Sequence, residues 1–408
     1  MSTDGTDPGG VVGGYLELGL ALGRHVDGLV DAYYGPPALA ARVRDEPIWP
    51  AIALVTKARA LIADLDGGAA LSEPTSSTSG AEPGRRAFLR AQMVGLLTTA
   101  RKLAGEEIAY EDEVEQCYGV RPRAVPEDEL RAAHERLAEA LPGSGPLPER
   151  LISWRESHAV APETLPAAIA SLASDLRQRT DRLFGLPDGE RVDFELVTGR
   201  PWSGFNTYLG DLRSRVDINT DLPVLSTSLA HLVAHEAYPG HHTEHSRKEV
   251  GLVRRRHYLE ESIFLVGTPS ALLAEGLADL GLEVVMGERP EALVAEHLRP
   301  LGIRYDAEVV AAVAEASEAL AAVRGNAALA LHAEGVGPDR VIDDVARWGI
   351  MSRQRAAKAV EFLLHPTWRA YVFCYIEGLR LCRRFVAGRP EAFARLLTEQ
   401  LTPADLGA

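Results

Sequence analysis

Cysteine is almost missing from this chain. Its 408 residues include three, Cys117, Cys374 and Cys382. They show no C-x-x-C spacing, and an odd number cannot all pair. That excludes a disulfide framework or a thiolate metal cluster and is expected of a protein of the reducing cytoplasm. Long apolar runs are missing as well. No stretch approaches the ~20 apolar residues a membrane span requires. Positive charge is in deficit, with 43 Lys and Arg against 58 Asp and Glu and a formal net charge of −15. A chain so charged is repelled by nucleic acid and by anionic membranes, so neither is an expected partner. The opening "MSTDGTDPGG" lacks a basic region followed by an apolar core, and does not read as a secretory leader.

What remains is an ordinary globular composition, 46% hydrophobic and 25% charged. The length is enough for a large core in one or two domains. The pattern is mostly helical. "YLELGLALGRHVDGLVDAYYG" carries leucines and valines at helical spacings up to a Gly35-Pro36 stop. "AIALVTKARALIADL" is a second amphipathic stretch. The Gly-, Ser- and Pro-rich segment 67–84 reads as a flexible loop inserted between helices rather than a domain boundary. Further helices are expected at about 127–141, 163–184, 226–238, 268–286, 291–299, 306–324, 339–347, 353–364 and 368–386. Two segments break the rhythm. "RVDFELVTG" has β features, and "GFNTYLGDLRSRVDINTD" reads as a hairpin whose arms flank "GDLRS". The expected fold is therefore mainly α with a small β-hairpin or sheet, in a single domain over 1–408. No internal repeat is apparent.

The densest chemistry is "AHEAYPGHHTEH", Ala234 to His245. It begins like the zinc-peptidase signature H-E-x-x-H, in which two histidines four apart share a helix face and a metal ion. The glutamate between them serves as general base. Here Pro239 stands where the second histidine belongs. On a regular helix His242 would share the face of His235 but lie about 10 Å further along the axis. His241 would point roughly 120° away. Pro239 breaks the helix and Gly240 supplies unusual dihedrals. A bulge at Pro-Gly can return His241 to the vacant ligand position, with His242 as the alternative. The blander reading is a solvated helix end rich in histidine.

A third ligand is offered by "SALLAEGLADLGLE". Glu275 and Asp279 are four apart on an apolar helix and share a face. A carboxylate there needs a partner, because burying it alone is costly. Glu275 suits a metal ligand, with Glu283 in reserve. Asp279 suits acceptance of the other ring proton of a ligand histidine. The alternative for both is a salt bridge to arginine. An oxyanion donor is sought in "HPTWRAYVFCYIEGLRL", which contains His365, Arg369, Tyr371 and Tyr375. Tyr375 is preferred over Tyr371 and Tyr238, against the plainer role of aromatic core packing. Asn206, Tyr208, Arg215 and Asn219 of the hairpin are candidates to line a cleft for an extended peptide, or simply to form its solvated face.

"HEAYPGHH" followed by "AEGLAD" resembles the bacterial domain-of-unknown-function family 885, as do "SGFNTYLGDLRSRVDINTDLP" and "YIEGLRL". The resemblance spans about 190–385. It implies a mainly helical, zincin-like (gluzincin-type) metallohydrolase, with His235, His241 and Glu275 as ligands and Glu236 as base. His242 also matches a family position. Leu277 departs from the tryptophan that usually follows E-G, which bears on substrate preference more than on metal.

The function expected from these residues is a Zn²⁺-dependent hydrolase, foremost a peptidase, acting on a peptide or small amide. The same site could serve a non-peptide amide or ester. A non-catalytic metal-binding or scaffold protein is the rival of another class. Substrate, oligomeric state and the choice between zinc and another divalent ion are not encoded in any motif.

Overall fold

The computed structural model describes residues 9–71, 83–200 and 202–408. Most of the expected loop at 67–84 lies outside them. The described residues form eighteen α-helices and five short strands, so the fold is mainly α with a small β component.

The strands are β1 (Val30–Tyr33), β2 (Arg191–Val197), β3 (Gly204–Gly210), β4 (Arg213–Asn219) and β5 (Ile263–Leu265). β3 and β4 are the expected hairpin, closed by Asp211 and Leu212, both with positive φ (52° and 62°). Two such residues match the right-handed twist of the arms. β2 adds in parallel to β4, giving the order β2-β4-β3. β1 and β5 form a separate antiparallel pair.

That pair corrects one expectation. The stretch from Tyr15 to Gly35 is not one helix. The helix Gly10–Gly23 ends first, and the chain turns through Gly28 at φ +74°. A Cβ there would lie 2.9 Å from the Trp368 ring, so only glycine fits. Val30, Ala32 and Tyr33 then pair with Leu265, Phe264 and Ile263. A partner more than two hundred residues away overrides the local helical spacing. A second correction concerns 306–324. The helix Ala307–Ser317 gives way to a 3₁₀ turn at Glu318–Ala322 and a new helix, Val323–His332.

The core is divided. One cluster joins the N-terminal helices Gly10–Gly23, Ala51–Asp66 and Pro83–Leu103. A larger one surrounds the helices Pro269–Met286 and Val372–Val386. A third packs the helix Leu165–Phe184 and strand β4 under the helix Ser226–Glu236. The candidate residues stand on the helices Ser226–Glu236, His241–Lys248, Pro269–Met286 and Val372–Val386. Two glycines set the closeness of the last pair. A Cβ on Gly276 would lie 2.3 Å from the Gly378 carbonyl oxygen, and one on Gly378 would lie 2.4 Å from that of Leu272. The glycines of the E-G and Y-x-x-G motifs thus meet at one helix crossing. Leu277, next to it, is wholly buried in the core.

Candidate metal centre

The helix Ser226–Glu236 starts without a side-chain cap; the Ser226 hydroxyl instead donates to the Arg304 carbonyl at 2.9 Å. Its last turn carries His235 and Glu236. Ala237 then leaves helical dihedrals (φ −124°, ψ −78°), Tyr238-Pro239 is cis, and Gly240 adopts φ −73°, ψ −137°. The break is tightly bonded. The Gly240 N–H donates to the Ala234 carbonyl at 2.9 Å, and Thr243 donates to that of Ala237 through both N–H (3.2 Å) and hydroxyl (3.0 Å). A Cβ at Gly240 would stand 1.8 Å from the His235 carbonyl oxygen, which excludes every other residue. A new helix, His241–Lys248, begins at once.

The bulge brings His241 back to His235, with their Nε2 atoms 3.1 Å apart. Glu275 joins them, its Oε2 lying 3.2 Å from His235 Nε2 and its Oε1 3.8 Å from His241 Nε2. His235 Nδ1 bonds to Asp279 Oδ1 at 2.8 Å. With that nitrogen donating, neutral His235 turns a bare Nε2 lone pair to the centre. Tyr371 donates its hydroxyl to Glu275 Oε1 at 2.5 Å, leaving Oε2 buried without a hydrogen-bond partner. Its approach to His235 Nε2 is close in distance but wrong in angle for a hydrogen bond.

The electrostatics follow from this crowding. Burial presses the His235 imidazolium down, but Asp279 and Glu275 outweigh it and raise it well above the usual value. Burial also pushes Glu275 and Asp279 up, and in both the pull of His235 prevails and lowers them. Burial holds His241 down to about 4, against the opposing charge of Glu275. Burial raises Glu236 to about 7, with the charges of Glu275 and Asp31 pushing the same way against His235.

Two imidazole nitrogens and a carboxylate oxygen meeting at these separations fit one cation. Zinc bonds to nitrogen at about 2.0–2.1 Å and to carboxylate oxygen at about 2.0–2.2 Å, so tetrahedral donors stand roughly 3–3.5 Å apart. The His235–His241 distance and that from His235 to Glu275 Oε2 fall in that range, while His241 lies nearest the other oxygen, Oε1, at 3.8 Å; His235, Glu236 and His241 also offer one donor atom each within 4.8 Å of one another. The orphaned Glu275 oxygen is the atom such an ion would satisfy.

Other expected residues are placed elsewhere. His242 is fully buried and turned away, with Nδ1 2.9 Å from Ser214 Oγ and Nε2 2.8 Å from Glu190 Oε2. Glu190 also accepts from Tyr238 (2.7 Å) and Arg177 (2.6 Å). His242 and Tyr238 therefore pin the bulge to the sheet. Glu283 pairs with Arg383, and Arg369 pairs with Glu113. Tyr375 faces the centre's carboxylates from the next turn after Tyr371, with ring centroids 5.5 Å apart. It is 39% exposed. The hairpin residues are committed internally: Asn206 donates to the Glu236 carbonyl, Tyr208 to Glu249, Arg215 to Asp217, and Asn219 to the carbonyls of Arg200 and Trp202. They brace the sheet instead of lining a cleft. The strand touches the site through Gly204, where a Cβ would lie 3.1 Å from Glu236 Oε1.

Two residues of this neighbourhood, Glu190 and Asp31, carry no local signal in the sequence. His231, four residues before His235 and so offering another metal pairing in the sequence, has its Nε2 3.5 Å from Asp279 Oδ1.

No family model matches the chain, and no curated protein does. Among solved structures it is similar to a "putative lipoprotein" from Colwellia psychrerythraea, with a TM-score of 0.50 and 15% identity over 91% of this chain and 68% of that one. A second protein of that description, from Shewanella oneidensis and of unknown function, gives 0.45 and 12% over 91% and 75%. The first likeness is one of fold.

Proposed function

We propose that this protein is a divalent-metal hydrolase of the zincin kind that cleaves amide bonds, foremost in peptides. The observation that carries the reading is the convergence of His235 Nε2 and His241 Nε2 with the Glu275 carboxylate beside Glu236. The motif resemblance to family 885 supports it. The three residues would hold the ion, zinc being the best match to two imidazoles and a carboxylate. Such an ion, when bound, supplies Lewis-acid polarisation of the carbonyl and makes water acidic enough to attack near neutral pH.

The chain's own residues supply the rest. Glu236 takes a proton from the attacking water and returns it to the leaving nitrogen. Its buried carboxyl, raised to about 7, exchanges protons near neutrality, as a general base should. The Tyr375 hydroxyl, with no hydrogen-bond partner among the described residues, donates to the oxyanion. Asp279 fixes the tautomer of His235, and Tyr371 fixes the orientation of Glu275.

The test is metal content per chain together with turnover of a mixed peptide and small-amide panel, on protein purified without a metal-affinity tag. About one zinc per chain, lost in His235→Ala, is expected. Glu236→Gln should keep the metal and lose turnover. Absence of bound zinc after reconstitution, or unchanged turnover in Glu236→Gln, overturns the reading.

A further inference from the structure

The helices Ser226–Glu236 and Pro269–Met286 meet in a pattern that repeats. His235 Nε2 faces Glu275 Oε2 at 3.2 Å, and one turn away His231 Nε2 faces Asp279 Oδ1 at 3.5 Å. Numbers fall on one helix as they rise on the other, so the two run antiparallel. Residues four apart share a helix face, and the crossing therefore carries two rungs of imidazole against carboxylate. The inner rung belongs to the candidate metal centre. The outer rung lies about 6 Å along the axis, and the His231 and His235 ring centroids are 5.9 Å apart.

The outer rung has the geometry of a ligand pair. His231, His235 and Asp279 each offer one donor atom within 4.8 Å of the other two, as His235, Glu236 and His241 do on the inner side. A separation of 3.5 Å is beyond the usual hydrogen-bond range. It suits two donors of one tetrahedral ion, which stand roughly 3–3.5 Å apart. The His231 side chain is 48% exposed, so an ion and its waters have access. Among the described residues no lysine or arginine pairs with Asp279; its ion-pair partners are the two imidazoles.

We propose that His231 and Asp279 hold a second divalent transition-metal ion at the rim of the centre. His231 supplies Nε2 and Asp279 its carboxylate, while His235 Nδ1 keeps its proton and its 2.8 Å bond to Asp279. Imidazole beside carboxylate suits zinc or copper better than calcium or magnesium. With two protein ligands against three, the rim ion is the weaker of the two. It also draws on Asp279, the carboxylate that fixes the His235 tautomer. Filling the rim therefore loosens the inner centre, and zinc in excess acts as a brake. The rim site stands on its own residues; the brake rests on the hydrolase reading above.

The test is a zinc titration of the metal-free full chain by calorimetry, with stoichiometry read by native mass spectrometry. Wild type, His231→Ala and His241→Ala are compared. In excess zinc, wild type should take up about two ions per chain, the second at least about tenfold more weakly. His231→Ala alters an exposed helix face, so the chain should fold, lose the weaker ion and keep the tighter one. His241→Ala should weaken the tighter ion and keep the rim ion. Turnover of the wild type should fall as zinc passes one equivalent, and that of His231→Ala should not. A single ion at every zinc concentration, lost in His241→Ala, overturns the inference and leaves the hydrolase reading standing. So does a second ion that survives His231→Ala. Uptake at the rim without slowing upholds the site and removes the brake. One ion lost in His231→Ala but not in His241→Ala upholds the rim site and removes the inner centre, and the hydrolase with it. No uptake at all overturns both.

Discussion

The short helix His241–Lys248 has a charge cluster at each end, and the two are built on opposite rules. Around Lys248 permanent cations stand beside the acids. Lys248 meets Glu244 at 2.7 Å, Arg85 meets Glu260 at 2.6 Å, and Gln400 bridges Glu260 and Glu261. Glu244, Lys248, Glu260 and Glu261 line a cavity of about 20 Å³ with room for one water. Around His241 no lysine or arginine pairs with the acids among the described residues. Three carboxylates face two histidines, one of them pressed by burial towards neutrality; a buried oxygen is left over at each end, Glu244 Oε2 and Glu275 Oε2. A buried carboxylate with a permanent cation beside it holds the fold; one set among imidazoles depends on their protonation or on an added cation. Histidine alone does not tell the two apart. His245, one turn after His241, is stacked on Tyr208 at 4.9 Å and edge-on to Phe264 at 5.3 Å. Burial holds it well below its usual value, and it serves as an aromatic packing residue.

The contrast breaks most sharply at the His241 end. Glu236→Gln should lower kcat by about 10²–10⁴-fold, the range for a lost general base, with zinc content unchanged by mass spectrometry of the native protein. The Lys248 end should respond in stability instead. Arg85→Met leaves fully buried Glu260 without its cation, and should cost about 3–5 kcal/mol in urea denaturation with or without metal. Equal losses of metal affinity in this variant would erase the distinction between the ends. Tyr371→Phe removes the hydroxyl that orients Glu275, so zinc affinity measured by competition should fall about 10–100-fold, with little change in the stability of the metal-free chain. The smallest effect tests the anchor of the bulge. The folded Glu190 carboxyl is held down by His242, Tyr238 and Arg177 against the upward push of burial. Its contribution is fully present above the unfolded value of about 4.3. It is lost as pH falls through the lower folded value. Glu190→Gln should therefore flatten the acid limb of stability against pH, read from thermal melts between pH 3 and pH 6.

What the sequence discloses follows the range of the interactions. The helices and the hairpin were legible because their periodicity is local. His235, Glu236, Glu275 and Asp279 were legible for the same reason, each being specified by spacing along one helix. The choice between His241 and His242 was not, since it depends on the dihedrals of Ala237 and Gly240, which residue identities leave open. Tyr371 and Tyr375 share a helix face, and the depth at which that helix crosses Glu275 decides which hydroxyl reaches it. Strand β1 was invisible because its partner β5 lies at the other side of the chain, and Asp31 was invisible with it.

The crossing at Gly276 and Gly378 has a consequence for synthesis. Tyr371 and the backbone behind Glu275 arrive from about a hundred residues further along the chain. On the ribosome the histidines emerge long before the hydroxyl that orients their carboxylate partner. On the proposed reading all three ligands are made before Tyr371, so a chain ending short of Tyr371 would carry the signature motif without the hydroxyl that orients Glu275.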